Sequence, residues 1–201
     1  MPGKSAPERL KSVAIAVLLL LLLPALVFLY LLAWQTETTI LLVRHTERAA
    51  GDPPAGECPP PGLGEGVRES VGPTVTGEGK ARAETLAHVA SEANVSAVYV
   101  SEYCRSQWTV KPFLDRAPGA APTKQFAASD VRGLLRDILT EHRGGTVLVS
   151  SHSDRIPQIV SALGAPAPPQ LADGDYDDLF VITVYRFGAP RVLRLKYGRE
   201  T

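Results

Sequence analysis

Thr38-Thr39-Ile40-Leu41-Leu42-Val43-Arg44-His45-Thr46-Glu47-Arg48 is the stretch that decides the fold. A short unbroken run of branched apolar residues suits a strand buried on both faces of a sheet. Arg44 and His45 stand where that strand should end, and open α/β sheets bind ligands beyond the carboxyl ends of their strands. An imidazole in that position can attack phosphorus and carry the phosphoryl group, splitting one difficult displacement into two easier ones. A guanidinium beside it offers a planar fork of donors to phosphate oxygens. The plainer alternative is a strand end with an exposed Arg-His pair.

The same pattern returns twice downstream. Residues 76–93 read as a helix, with Thr76 as cap and Ala83, Leu86, Ala87 and Ala90 as its apolar stripe. Val95-Ser96-Ala97-Val98-Tyr99-Val100 is a second buried strand, and it runs into Ser101 and Arg105. A helix is expected from about residue 104 to 114, its end weakened by Pro112. Arg105 in its first turn opposes the helix dipole, a misfit that an anion would relieve. Residues 129–142 form another helix, with Asp130 well placed as its cap. Thr146-Val147-Leu148-Val149-Ser150 is the third buried strand, delivering Ser151-His152-Ser153-Asp154 to a further helix at 156–163. Two closing strands are expected at 179–185 and 191–197. Strands alternating with helices predict a three-layer α/β/α domain built on a mostly parallel sheet.

Other segments bound the setting. The 201 residues carry 21 Lys+Arg against 21 Asp+Glu, a balance with no nucleic-acid footprint. Residues 1–11 are basic through Lys4, Arg9 and Lys11, and residues 12–34 are uncharged and almost wholly apolar. That run is expected to be a transmembrane helix in the lipid bilayer, acting as a signal anchor. A signal peptide, cleaved or retained, is the alternative. Either leads to a single-pass or released protein with its domain, residues 38–201, outside the cytoplasm, periplasmic or extracellular. Residues 49–75 form a Pro- and Gly-rich insert, read either as a cover for the site or as a loose loop. Cys58 and Cys104 can pair in an oxidising compartment or remain as two thiols.

Four ordered segments resemble the histidine phosphatase superfamily, the phosphoglycerate mutase-like fold. Leu42-Val43-Arg44-His45-Thr46-Glu47 is similar to its Arg-His signature. Val75-Thr76-Gly77-Glu78-Gly79 resembles the opening of its first helix, and Ser101 through Arg105 to Thr109 its second-strand segment. Val149-Ser150-Ser151-His152-Ser153 resembles the strand bearing its second histidine. The resemblance implies that His45 is the nucleophile that becomes phosphohistidine. It implies that Arg44, Arg105 and His152 cradle the phosphoryl oxygens, His152 as a cation or donor. Arg48 and Ser153 complete the expected substrate-binding set. Neither metal nor cofactor is expected, because this cage supplies the positive charge.

The chain departs from the family at the proton donor, since Ser153 rather than an Asp follows His152. Asp130 is ranked first for that role, ahead of Glu47, Glu102 and Asp154. The expectation is a membrane-anchored phosphatase acting on phosphomonoesters. The rivals are an inactive member that binds phosphorylated ligands or a partner, and mutase-like phosphotransfer.

Overall fold

β1 (Thr38–Arg44) is the middle of the design: Ile40, Leu42 and Val43 lose all exposure in it. The structure is a computed structural model and describes residues 6–33, 37–53, 57–116, 118–119 and 121–199. The chain divides into Met1–Thr36 and Glu37–Thr201.

In the larger unit a helix α2 (Gly77–Ala90) leads to β2 (Val95–Ser101), and α3 (Cys104–Arg116) leads to β3 (Thr123–Phe126). Then follow α4 (Val131–Glu141), β4 (Thr146–Ser151), α5 (Ile156–Ala162), β5 (Asp178–Val184) and β6 (Arg191–Lys196). The strand order is β3-β2-β4-β1-β5-β6. The first four run parallel, and β5 and β6 are antiparallel additions, so the sheet is mixed. Alternate strand residues feed two cores on opposite faces. Ile40, Leu42, Tyr99 and Val149 pack with α4 and α5, while Leu41, Val43, Val98 and Leu148 pack with α2 and α3.

Local chemistry sets the helix starts. Thr76 caps α2 by accepting from the Gly79 amide at 3.0 Å. Asp130 caps α4 by accepting from the Gly133 amide at 2.9 Å. Gly79 is needed for a second reason, because a Cβ there would stand 2.6 Å from the carbonyl oxygen of Glu47. The first turn of α2 thus packs directly on the segment that follows His45. α3 continues through Pro112 to Arg116, further than the proline suggested. β3 was not expected, because Thr123-Lys124-Gln125 has no apolar run and only Phe126 is buried.

The N-terminal expectation requires correction. Among the described residues no helix is long and apolar enough to cross a membrane. α1 spans Ala6–Ala33, with Pro24 inside it. The transmembrane assignment of 12–34, and the bilayer contact expected through it, are therefore withdrawn. Residues 1–5 and 34–36, where the basic segment begins and the apolar run ends, lie outside the described residues.

The insert is stitched down where it is described. The Val71 amide donates to the Glu102 carbonyl at 2.9 Å, and the Cys104 amide donates back to the Val71 carbonyl at 3.0 Å. Gln107 Nε2 donates to the Glu69 carbonyl at 2.7 Å. A Cys58–Cys104 disulfide ties the insert to the start of α3 and answers the question that the sequence left open.

Candidate active site

Three parallel strands end side by side, and their ends carry the chemistry. β1 delivers Arg44 and His45, β4 delivers His152, and β2 leads through Ser101 into α3 and Arg105. The His45 amide extends the ladder by donating to the Ser151 carbonyl at 2.9 Å. The next amide, Thr46, donates to Thr109 Oγ1 at 2.9 Å, and that hydroxyl donates to the Arg105 carbonyl at 2.8 Å. Thr109 thereby fixes the end of β1 against the helix that carries Arg105.

His45 is 4% exposed, and its Nδ1 lies 2.8 Å from the Thr46 carbonyl oxygen. A carbonyl only accepts, so Nδ1 carries the hydrogen and Nε2 keeps its lone pair. Burial lowers its pKa from 6.5 to about 2; the bond to Thr46 opposes this, and Arg105, His152 and Arg44 reinforce it. The ring is therefore a free base at neutral pH.

His152 stands 5.2 Å from His45 between ring centroids. Its Nδ1 lies 3.5 Å from Arg105 Nη2, and a guanidinium only donates. Nε2 therefore carries the hydrogen and donates to Ser101 Oγ at 2.9 Å. Burial first, then Arg105, lowers its pKa to about 4, while Asp154 pulls the other way. Burial therefore disfavours the cationic form of His152, and the guanidinium groups of Arg44 and Arg105 are the firm positive charges of the cleft.

Those arginines are crowded. Arg105 stacks on Tyr103 with its guanidinium carbon 4.3 Å from the ring centroid. Its pKa is pulled down by burial, with Arg48 and Arg44 contributing against the opposing Tyr103. Arg44 Nη1 donates to the carbonyls of Ala172, Asp173 and Asp175 at 3.0, 2.7 and 3.2 Å, and its guanidinium stacks on Tyr176 at 4.1 Å. The Nε atoms of Arg44 and Arg105 are buried with no hydrogen-bond partner. Two buried donors on mutually repelling cations are a strong attraction for an oxyanion.

These residues line one cleft of about 460 Å³. Arg44, His45, Arg48, Arg105, His152 and Ser153, all singled out from sequence, meet in it. Asp130 is not among its lining residues, and its carboxylate is engaged as the cap of α4. Glu47 is paired with Arg82 at 2.7 Å, and Glu102 accepts from the Ala128 amide at 2.8 Å. Asp154 lines the cleft but lies 3.3 Å from the Arg155 guanidinium. Tyr103, Arg155, Asp173 and Tyr176 were not anticipated; the doublet Asp175-Tyr176 in a Pro-rich loop gave no local signal. Among the described residues no group of three or more His, Cys, Asp or Glu could hold a metal ion.

No protein-family model and no curated protein sequence matches the chain. Solved structures do match. The protein histidine phosphatase SixA complexed with tungstate aligns with a TM-score of 0.58 at 16% identity, over 79% of this chain and 96% of that one. An α-ribazole-5'-P phosphatase (so described provisionally) from Escherichia coli K-12 aligns at 0.55 and 17%, over 81% and 99%. Phosphoglycerate mutase from Plasmodium falciparum aligns at 0.51 and 18%, over 80% and 91%. The structural neighbours of this chain are thus members of the histidine phosphatase superfamily, and theirs is the fold it adopts.

Proposed function

We propose that the chain is a phosphatase that hydrolyses phosphomonoesters through a phosphohistidine on His45. The observation that carries this is the pairing of a free-base Nε2 on His45 with the unpartnered Nε donors of Arg44 and Arg105. His45 Nε2 forms a bond to phosphorus as the ester oxygen departs with its electron pair. Water then attacks the same phosphorus, releases inorganic phosphate and restores His45. The arginines stabilise charge on the equatorial oxygens and hold the phosphoryl group in line with the nucleophile. The fold of phosphatases and a phosphoglycerate mutase is compatible with this chemistry and does not establish it.

The decisive experiment is p-nitrophenyl phosphate hydrolysis by the full chain beside His45→Ala. Turnover lost in the variant, with an unchanged circular dichroism spectrum, supports the assignment. Near wild-type turnover in His45→Ala refutes it, and a folded wild-type chain with no turnover favours a phospholigand-binding module. The cationic cage supplies the charge a metal would otherwise bring, so EDTA is expected to leave the rate unchanged. A loss restored by a divalent ion refutes that part.

The Cys58–Cys104 disulfide supports work in an oxidising compartment outside the cytoplasm. Alkylation of protein from its native source, without reductant, is expected to label neither cysteine.

A further inference from the structure

We propose that Asp173 is the general acid that protonates the leaving oxygen, an inference that rests on the phosphatase reading above. Departure of an alkoxide needs a proton, and a positioned acid contributes about 100-fold or more to such a step. Neither histidine of the cleft has one to give. His45 carries its hydrogen on the edge bonded to Thr46, and His152 carries its own on the edge bonded to Ser101. The arginines do not release protons. A phenol is a far weaker acid than a carboxyl group, which sets the tyrosines of the cleft behind its carboxyls, and among the described residues only Asp154 and Asp173 bring a carboxyl there.

Asp154 is already engaged with the guanidinium of Arg155. No ion pair or hydrogen bond among the described residues engages the Asp173 carboxylate. Its backbone, in contrast, is firmly held. β5 is antiparallel to β1 with Leu179 opposite Val43, so the residues preceding β5 must arrive beside the His45 end of β1. There Arg44 grips the Asp173 carbonyl at 2.7 Å, flanked by its bonds to Ala172 and Asp175. The turn is closed by the Ala172 amide donating to Asp175 Oδ2 at 2.8 Å. Tyr176, three residues before Leu179, places its ring centroid 6.0 Å from that of His45. One guanidinium thus keeps its Nε unpartnered and holds the acid-bearing loop with Nη1. In the step proposed, the Asp173 carboxyl gives its proton to the ester oxygen as the P–O bond breaks and His45 Nε2 bonds phosphorus. The resulting carboxylate takes a proton back from the water that hydrolyses the phosphohistidine.

The test compares Asp173→Asn, Asp173→Glu and Asp154→Asn in the full chain on two substrates. Glycerol 2-phosphate has a leaving group that needs the acid, and p-nitrophenyl phosphate has one that does not. Asp173→Asn is expected to lose about 100-fold in kcat/KM on glycerol 2-phosphate. It should stay within about threefold on p-nitrophenyl phosphate, and Asp173→Glu should recover part of the loss. An equal loss on both substrates, no loss on either, the split appearing in Asp154→Asn instead, or a wild-type chain inert toward glycerol 2-phosphate each overturns the proposal. Failure of the phosphatase reading is separate, because it appears as His45-independent turnover of p-nitrophenyl phosphate.

Discussion

His45 and His152 are held neutral by burial, and neutrality has a cost that acid exposes. Both have folded values below the ordinary 6.5, so the unfolded chain takes up protons first as pH falls. Stability is full above about pH 6.5, and each histidine costs about 1.4 kcal/mol per pH unit of acidification below it. For His152 the loss levels off near its folded value of about 4. A urea midpoint that drops between pH 7.5 and 5 is expected, and one that stays flat contradicts neutral burial. Turnover should show no acid-side limb near 6.5, since His45 remains a free base there. Arg44 invites a different test. Its fork serves carbonyls and phosphate together, which an ammonium cannot do, so Arg44→Lys is expected to cost about 100-fold in kcat/KM on p-nitrophenyl phosphate. At this scale Arg44, His45, Arg105 and His152 were legible, because each follows a visible strand. Tyr103, Asp173 and Tyr176 were not, because Asp173 and Tyr176 reach the cleft through pairing with β1, which no local pattern announces.

Among the elements, α4 shows how one residue can be read two ways. Asp130 lay in the right interval for an acid, but its carboxylate satisfies the Gly133 amide at the helix start. Asp130→Ala is expected to cost about 1 kcal/mol of stability and to leave the ratio of rates on p-nitrophenyl and glycerol phosphates unchanged. A shifted ratio would return Asp130 to the chemistry. β1, β2 and β4 were visible as apolar runs, whereas β3 escaped because an edge strand of Thr123-Lys124-Gln125 needs no apolar face. The described parts of the insert needed long-range contacts to be understood, since Glu69 and Val71 are held by α3 and by the segment before it. In α1, apolar composition alone suggested a bilayer crossing that the described helix does not support.

Across the molecule, the Cys58–Cys104 bond encloses a sequence separation of 46 residues. Loop-closure entropy for such a ring is worth about 4 kcal/mol. The Cys58→Ser/Cys104→Ser chain should therefore show a clearly lower urea midpoint, and an unchanged midpoint would mean that the crosslink does not constrain the unfolded chain. The histidine-bearing side of the cleft is built from strand ends whose polar side chains are buried, such as Ser101, Ser151 and His152. The loop bearing Asp173 is exposed and is held mainly by its own carbonyls. Backbone grips do not depend on side-chain identity, and exposed substitutions usually shift stability by less than about 0.5 kcal/mol. Exposed positions of that passage can therefore drift without unfolding the chain, whereas Ala165 and Leu171 pack against the core, and a library randomised over Pro166, Ala167, Pro168 and Gln170 should keep a nearly constant melting temperature. On the phosphatase reading proposed above, the same scaffold would acquire new substrates by rewriting one short surface passage while the strand ends beneath it stay as they are.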